Sequence, residues 1–467
     1  MSLEPIPFTI PGMTLSGPPE AKTPGLRGNL SLYGLTMVAI GACIGSGIFL
    51  SPSLVAGYLS SPLWILLAWA MGFVHALTGS LSFSELGAMY PRAGGQYAYL
   101  KEAFGPLPAF LFAWVTFLVI NGSGIAALSL TFAKYAAFLL PLSNTGVLAL
   151  AATAIVIMAL INVVGTRFSD LAAKIFSGLK LAGLAMIILT GLALGSPGRT
   201  GFKLTLQNVS VTDPGLGLVS AFGLAFIGVY FSVGGWQHAS YLAGEARDPR
   251  RTVPRAMFIG ALVVGAVYWL TNLGYLFLLP ADRIARSSGV AADALQTVLP
   301  FGAVVISIMI LLSALGTVGI NTYSVPRIFF ALADEGLFFP AFAKIHPRFK
   351  TPANAILLQC AWAIALLFLW GTFANIITYL VFMDGIFMLL TGLAIFVLRR
   401  TRRDVDRPYR TWGYPATPVV FILISLFFVT IALVEKPVQA LAALACLVLG
   451  LPFYFYFSAK KRGQTSA

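Results

Sequence analysis

The sequence Gly-Ala-Cys-Ile-Gly-Ser-Gly-Ile-Phe-Leu-Ser at residues 41–51 is the most informative stretch of this chain. It lies in the middle of an apolar run from about residue 32 to about residue 59, which is long enough to cross a lipid bilayer. Three glycines around Ser46 give poor helix propensity, so we predict that a membrane-spanning helix breaks here. Because lipid cannot satisfy the exposed backbone groups, the break must face protein or a polar cavity. Its free N–H groups would bind a small anion such as a carboxylate; close helix packing through small residues is the alternative.

The composition indicates a membrane protein with many spans. Of the 467 residues, 58% are hydrophobic and 10% are charged, a balance typical of polytopic membrane proteins. The formal net charge of +14 does not indicate a nucleic-acid partner, because the basic residues lie mainly in loops that meet the anionic lipid bilayer. Cys43, Cys360 and Cys446 lie in separate apolar runs. We therefore expect packed thiols, with no metal and no cofactor.

The apolar runs predict twelve transmembrane helices in an all-α chain. The first thirty residues lack the apolar core of a cleavable signal, so we expect the first span to be retained. Of the 30 basic residues, 23 lie in one set of alternate loops that includes both chain ends, and 5 lie in the opposite set. The positive-inside rule then places both termini in the cytoplasm. The predicted spans run at about 32–59, 62–88, 105–140, 146–165, 171–195, 216–243, 256–280, 298–333, 353–372, 374–398, 416–434 and 438–458.

A second glycine-rich stretch, Phe-Ser-Val-Gly-Gly-Trp at 231–236, interrupts the sixth span. It lies five spans after the first break, so the second half enters the membrane in the opposite orientation. Paired interrupted helices in two inverted halves indicate a secondary-transporter site, whereas two unrelated packing sites are the alternative. The first break presents N–H groups and the second presents carbonyls, which suits a zwitterion such as an α-amino acid. We expect the carboxylate to bind Ile44, Gly45, Ser46 and Gly47, and the ammonium to bind Ile40, Phe231, Ser232 and Val233.

Two ionisable residues lie deep in predicted spans. Lys180 is about ten residues into the fifth span, roughly 15 Å deep, so it is either functional or a structural lysine satisfied by carbonyls. A buried lysine can change its protonation state, which leaves proton coupling open. Asp384 would contact a polar or cationic substrate side chain, carry a proton, or be a paired structural carboxylate. Glu85 and Glu245 lie near the cytoplasmic edge and are expected to be ion-pair partners.

Longer motifs carry a resemblance to a known family. The Gly-Ser-Gly-Ile-Phe of 45–49 and the stretch at 231–236 are similar to the substrate motifs of the amino acid–polyamine–organocation (APC) superfamily, and most similar to its L-type amino-acid transporter (LAT) branch. The resemblance covers the chain after about residue 28. It implies the LeuT-like fold of five plus five inverted spans, with helices 1 and 6 unwound at the midplane and two peripheral helices. It rests on further motifs at 84–87, 94–110, 245–249, 327–352 and 407–408.

The resemblance also divides the chain and assigns roles to its residues. Phe231 would close over the substrate from outside. Lys180 stands where sodium-coupled relatives bind a cation, with its ammonium near Ser313 or Thr317, which favours sodium-independent transport. The LAT pattern has a neutral polar residue at the position of Asp384, so the charge of the substrate stays open. The gate and side-chain pocket would comprise Ser123, Gly124, Phe231, Gly234, Gly235, Trp236, Gln237 and Asp384. The expected divisions are a cytoplasmic tail at 1–30, repeats at 31–195 and 216–400, two last spans at 416–458 and a tail at 459–467.

These observations predict an amino-acid exchanger of the cell membrane that works by alternating access, needs no sodium and favours neutral substrates. A proton-coupled symporter that also accepts cationic amino acids is the alternative. An intramembrane enzyme is a remote rival, because the sequence offers no nucleophile–base pair or metal cluster at depth. In many LAT members a heavy-chain glycoprotein attaches through a cysteine in the loop between spans three and four. Pro141 to Gly146 contain no cysteine, so we expect no disulfide-linked heavy chain.

Overall fold

The structure is a computed structural model that describes residues 29–204, 215–369 and 373–465. The predicted N-terminal tail lies outside this range except for its last two residues, and the predicted C-terminal tail extends beyond it. Within the described residues the regular elements are all helices, and one isolated parallel bridge joins Leu30 to Ala246. The prediction of an all-α chain is confirmed.

The helices follow one another closely along the chain. The first half contains α1 (Leu32–Cys43), α2 (Gly47–Tyr58), α3 (Pro62–Met89), α4 (Gln96–Phe104), α5 (Pro106–Val115), α6 (Gly122–Leu139), α7 (Asn144–Val164), α8 (Thr166–Leu194) and α9 (Pro197–Thr200). The second half contains α10 (Leu218–Val233), α11 (His238–Tyr241), α12 (Pro249–Leu278), α13 (Ala281–Arg286), α14 (Val290–Gln296), α15 (Gly302–Ser324), α16 (Pro326–Asp334), α17 (Ala353–Leu369), α18 (Phe373–Thr401), α19 (Ala416–Glu435), α20 (Pro437–Val448) and α21 (Gly450–Thr465). A π-helical turn, Thr116–Asn121, joins α5 to α6.

Ten helical segments of the described chain are long and apolar enough to cross a membrane, and two shorter apolar helices lie at Leu218–Val233 and Ala353–Phe368. The segments follow the predicted runs, but several ends differ. The seventh run was expected from residue 256, whereas α12 begins at Pro249. A proline suits the first position of a helix because its missing N–H has no partner to lose there. The ninth predicted run ends at residue 372, which lies outside the described residues.

Two apolar helices are interrupted in the interior of the bundle. Residues 44–46 separate α1 from α2, and residues 234–237 separate α10 from α11. The two interruptions touch: a Cβ added to Gly235 would lie 2.7 Å from both the carbonyl carbon of Ala42 and the amide nitrogen of Cys43. Gly235 also has φ of 124°, which a residue with a side chain rarely adopts. Glycine at this position therefore allows the two backbones to pack in contact.

Long helices surround the interruptions and hold them in place. The helix α12 packs against α1, α3 and α8, and α15 packs against α6, α8 and α1. From α12, Tyr268 donates its hydroxyl hydrogen to the carbonyl of Cys43 over 2.9 Å. This bond satisfies a carbonyl at the end of α1 that has lost its helical partner. The helix α18 packs against α3, α10 and α19 on the other side of the bundle.

The segment before α1 pairs with the segment that follows α11. Leu30 donates its N–H to the carbonyl of Glu245 over 2.9 Å, and its own carbonyl accepts the N–H of Arg247 over 2.8 Å. The buried carboxylate of Glu245 also accepts from Arg327 and from the hydroxyl of Thr166, both at 2.7 Å. The segment before α1 and the segment after α11 are thus joined to each other and to helices α8 and α16.

Candidate substrate cavity

A cavity lies between the two interruptions and the helices α6, α15 and α18. Its empty space is about 860 Å³ when the part open to solvent is included. The wall is mixed, with backbone atoms of both interruptions, apolar side chains and a few polar side chains. It is formed by Ala42, Cys43, Gly45, Ser46, Gly47, Ile120, Asn121, Gly124, Ala127, Leu128, Tyr230, Phe231, Gly234, Gly235, Gln237, His238, Thr317, Asn321, Leu380, Val381 and Asp384.

The structure brings many of the predicted site residues to this wall. The predicted residues that line the cavity are Gly45, Ser46, Gly47, Gly124, Phe231, Gly234, Gly235, Gln237, Thr317 and Asp384. The predicted residues that lie outside the wall are Ile40, Ile44, Ser123, Lys180, Ser232, Val233, Trp236 and Ser313.

The residues outside the wall have other contacts that explain their positions. The ring of Trp236 packs edge-on against Phe83, with ring centroids 4.9 Å apart, so it supports the second interruption from behind. The hydroxyl of Ser232 donates to the carbonyl of Gly228 over 2.8 Å and lies 2.9 Å from the hydroxyl of Ser51. Ser123 is fully buried beside the cavity-lining Gly124.

The first interruption presents hydrogen-bond donors to the cavity. Gly45 donates its N–H to the carbonyl of Cys43 over 2.8 Å, which closes a tight turn. None of the hydrogen bonds found in the described chain uses the N–H groups of Ser46, Gly47 or Ile48. These are the first N–H groups of α2, which point along the positive end of the helix dipole. A helix start of this kind binds carboxylates and other anions.

The second interruption presents hydrogen-bond acceptors. The carbonyls of Phe231 and Ser232 stand in the last turn of α10, and no backbone N–H of the described chain bonds to them. The turn itself is held from within, because the side-chain oxygen of Gln237 accepts the N–H of Gly235 over 2.9 Å. Gly47 packs directly on this turn, with an added Cβ only 2.9 Å from the Cα of Ser232. The donors and the acceptors are therefore neighbours.

Lys180 lies behind the first interruption rather than in the cavity. Its ammonium donates to the carbonyl of Gly41 over 2.8 Å and to the hydroxyl of Thr317 over 2.6 Å. Thr317 also lies 3.1 Å from the carbonyl of Ile44. Ser313 contacts the same turn, with its hydroxyl 3.1 Å and 3.2 Å from the carbonyls of Ile44 and Gly45. One cation and two hydroxyls thus satisfy carbonyls released where α1 ends.

Asp384 brings a carboxylate to the cavity from α18. The hydroxyl of Tyr230 donates to its Oδ2 over 3.0 Å, and Tyr230 stacks on Phe428 with ring centroids 4.2 Å apart. Within the described residues no lysine, arginine or histidine forms an ion pair with Asp384. Its hydrogen-bond partner in the described chain is Tyr230, and the roles of substrate contact, proton carrier and paired structural carboxylate all stay predictions.

Several polar residues of the wall were not predicted as site residues. Tyr230, Asn321 and His238 line the cavity, and His238 is held by a 2.7 Å hydrogen bond between its Nδ1 and the hydroxyl of Ser324. Asn121 also lies on the wall, at the end of the π-helical turn. Turns of π-helix often occur at functional sites, yet an apolar sequence carries no signal for them.

Three further ionisable residues have structural partners. Glu85 accepts from two nitrogens of Arg399, at 2.8 Å and 2.6 Å, and from the N–H of Thr411 at 2.8 Å. Glu245 pairs with Arg327. Each of the two glutamates that were predicted to form ion pairs therefore has an arginine partner. The Nε2 of His75 lies 3.0 Å from the hydroxyl of Ser425. In the described part of the chain no cluster of three histidine, cysteine, aspartate or glutamate residues could hold a metal.

Comparison with known proteins gives matches over nearly the whole chain. The sequence model of the family described as amino acid permease matches residues 30–452. The b(0,+)-type amino acid transporter 1 of Homo sapiens is 32% identical over 451 residues, covering 95% of this chain and 91% of that protein. The large neutral amino acids transporter small subunit 2 of Homo sapiens is 32% identical over 449 residues, covering 94% and 82%. The serine/threonine exchanger SteT of Bacillus subtilis is 30% identical over 443 residues, covering 94% and 98%.

These matches confirm the resemblance that the motifs at 45–49 and 231–236 indicated. The family and the relatives are transporters rather than enzymes. The apolar helices make the chain a multi-pass membrane protein. This chain belongs to the amino acid permease family, within the APC superfamily of membrane transporters.

Proposed function

We propose that this chain exchanges amino acids across the cell membrane by alternating access, without sodium and with a preference for neutral substrates. The observation that carries the proposal is the pair of interruptions on one cavity. On the wall, one offers the N–H groups of Ser46 and Gly47, and the other offers the carbonyl of Phe231, with the free carbonyl of Ser232 next to it in the chain. A zwitterion needs donors for its carboxylate and acceptors for its ammonium, and this arrangement supplies both without a charged side chain. One relative is itself named as an exchanger.

Each interruption has its own role in this proposal. The carboxylate lies at the start of α2, on the backbone of residues 44–47. The ammonium lies on the end of α10, at residues 231–233, with Ile40 close to it on α1. Phe231 closes over the bound substrate, and the side chain of the substrate points toward α6 and α18. Gly45, Ser46 and Gly47 line the cavity, which supports this placement of the carboxylate.

Sodium independence is supported by Lys180. Its ammonium lies between the carbonyl of Gly41 and the hydroxyl of Thr317, oxygen groups of the kind that coordinate a hard cation. A fixed positive charge at this position satisfies the carbonyls freed at the end of α1, as a bound sodium ion would. The transport cycle then requires no sodium gradient.

The architecture we propose has twelve spans, made of two inverted repeats of five and two peripheral helices. The first repeat comprises residues 31–195, the second comprises 216–400, and the last two spans lie at 416–458. The interrupted helices are the first and sixth spans, which fits an inverted repeat of five. The asymmetric distribution of basic residues places both tails, 1–30 and 459–467, in the cytoplasm.

A proton-coupled symporter is the second candidate, and Asp384 is the observation that favours it. This carboxylate lines the cavity with a tyrosine as its hydrogen-bond partner. A carboxylate in such a position can carry a proton or face the side chain of a cationic amino acid. Both properties would suit a symporter that also accepts cationic substrates.

The chain is proposed to act without a covalently attached heavy chain. The loop at 141–146 has no cysteine, and the cysteines of the described residues are unpaired thiols, with Cys43 and Cys360 buried and Cys446 half-buried. A thiol buried within the bundle cannot reach a second subunit without unfolding its helix. The partners of the chain are then the amino-acid substrate and the lipid bilayer.

Uptake by the purified chain in proteoliposomes tests the proposal. Labelled neutral amino acids are added outside, vesicles contain either unlabelled amino acid or buffer, and sodium and proton gradients are varied separately. We expect uptake that requires internal amino acid and is unchanged by either gradient. Protein-free liposomes measure the background.

Three outcomes would contradict the proposal in different ways. Uptake into empty vesicles that follows a proton gradient would establish the symporter instead. Uptake that requires sodium would show that Lys180 does not replace the cation. A complete lack of amino-acid uptake would contradict the assignment of the two interruptions as a zwitterion site.

A further inference from the structure

We infer that the side-chain end of the cavity selects amino acids whose side chain both donates and accepts a hydrogen bond, which means a hydroxyl or a carboxamide. The inference rests on the proposed function and narrows its substrate class. Its basis is one unpaired amide donor and one carboxylate acceptor that come from different elements of the fold and line the same cavity.

The donor is the side-chain amide of Asn121. This residue is 5% exposed and lines the cavity, and its Nδ2 has no hydrogen-bond partner among the described residues. Asn121 is the last residue of the π-helical turn. A buried donor without an acceptor is costly, and native structures rarely contain one that nothing satisfies. A substrate atom that accepts a hydrogen bond would satisfy it.

The acceptor is the carboxylate of Asp384. Among the described residues its one hydrogen bond comes from the hydroxyl of Tyr230, at 3.0 Å. A carboxylate has about four acceptor positions, so most of them remain for other donors. Tyr230 is itself fixed by its stacking on Phe428. The carboxylate therefore has a defined orientation and lacks a second donor.

The π-helical turn that ends at Asn121 packs against α18, the helix that carries Asp384. Asn121 and Gly124 are three residues apart on one helical face, and Leu380 and Asp384 are four residues apart on another. A Cβ added to Gly124 would lie 3.8 Å from Cδ1 of Leu380 and 4.0 Å from Nδ2 of Asn321. The two faces therefore meet at Gly124, where the lack of a side chain leaves space between them.

The chemistry of the two groups defines the substrate that fits. A hydroxyl can give its hydrogen to Asp384 and accept the N–H of Asn121, and a carboxamide can do the same with separate atoms. A methyl group in the same place gives neither Asn121 nor Asp384 a hydrogen-bond partner. A side-chain ammonium would satisfy Asp384 but would present a further donor to Asn121.

Two pairs of amino acids of matched shape test the inference. Threonine and valine differ by a hydroxyl, and asparagine and leucine differ by a carboxamide. The full chain is reconstituted in proteoliposomes loaded with unlabelled threonine and alanine, and uptake of labelled threonine, valine, asparagine, leucine and lysine is measured. We expect threonine to exceed valine, and asparagine to exceed leucine, by about tenfold or more, because sites built to bind a polar group reject the analogue that lacks it.

Two variants test whether Asn121 and Asp384 cause the preference for threonine over valine. Asn121→Leu and Asp384→Leu keep the branching at Cγ and remove the polar atoms, and we expect each to bring the ratio of threonine to valine uptake close to one. Asn144→Leu is the control, since Asn144 is exposed at the start of α7, and we expect it to keep the wild-type ratio.

The inference is overturned if the wild-type chain exchanges valine as well as threonine, or lysine better than threonine. It is also overturned if both cavity variants keep the wild-type ratio. If one cavity variant transports no amino acid, the inference is judged from the ratio of threonine to valine uptake in the wild-type chain and in the other variant. Loss of all uptake by the wild-type chain would contradict the proposed function itself, whereas uptake without discrimination contradicts this inference alone.

Discussion

At the scale of the residue, Lys180 shows how a buried charge can hold an interrupted helix in place. The end of α1 releases carbonyls that water does not reach, and the carbonyl of Gly41 is satisfied by the ammonium. The same ammonium bonds to Thr317 on α15. Without it, buried acceptors on two helices would lose their donor, and unsatisfied groups of this kind cost about 1–3 kcal/mol each.

Lys180→Met keeps the length of the side chain and removes the charge. We expect it to reduce amino-acid exchange in proteoliposomes by at least about tenfold, because the carbonyl of Gly41 and the hydroxyl of Thr317 lose a strong donor. Lys134→Met is the matched control, since Lys134 is exposed on α6, and we expect exchange near the wild-type rate. Wild-type exchange by the Lys180 variant would show that the cation has no part in holding the first interruption.

Single residues also show what the sequence can and cannot predict about the cavity. The density of glycine and serine at 45–47 marks a break, because these residues are poor helix formers and pack closely. Tyr230 and Asn121 lie in runs that are apolar on nearly every face of the helix, so periodicity does not reveal which face meets the cavity. The place of Trp236 behind the turn, against Phe83, follows from tertiary packing that spacing along the chain does not encode.

At the scale of the element, the two interrupted helices depend on close contact between their backbones. The turn between α10 and α11 lies against the end of α1, with Gly235 at the point of contact. The glycines at 45 and at 234–235, from which the sequence analysis predicted two breaks, lie between the ends of these helices. The π-helical turn of Thr116–Asn121 was not anticipated, because the extra residue is accommodated by the packing of α5 and α6 against their neighbours rather than by a local signal.

Gly235→Ala tests this contact. The added Cβ would lie 2.7 Å from the backbone at Ala42 and Cys43, and φ of 124° would strain any residue with a side chain. We expect exchange to fall by more than about tenfold and the thermal unfolding temperature in detergent to drop by several degrees, because backbone cannot move aside at low cost. Gly178→Ala, whose Cβ would meet nothing within 4 Å, is expected to behave as wild type. A Gly235 variant with unchanged exchange and unfolding temperature would rule out a required contact.

At the scale of the whole molecule, the proposed topology predicts which loops face each side of the membrane. In a Cys446→Ala background, Ser288→Cys lies between the seventh and eighth predicted spans, and Asp404→Cys lies between the tenth and eleventh. Both positions are exposed. In intact cells we expect an impermeant maleimide to label position 288 and to label position 404 only after permeabilisation. The reverse pattern would place the termini outside and contradict the reading of the basic loops.

The pairing of Leu30 with residues 245–247 has a consequence for the energy of the transport cycle. Two backbone hydrogen bonds join the segment before α1 to the segment after α11. These two segments are therefore expected to move together rather than independently. If each interrupted helix takes one of two positions, two independent helices have four combinations, and two linked helices have two. The link disfavours the combinations in which the two helices take different positions and only half of the site is assembled. Those combinations are the ones that would let a solute cross the membrane without coupled transport of a second substrate. In the exchange cycle that we propose, the backbone link would therefore act against leakage and help a gradient of one amino acid to be converted into a gradient of another.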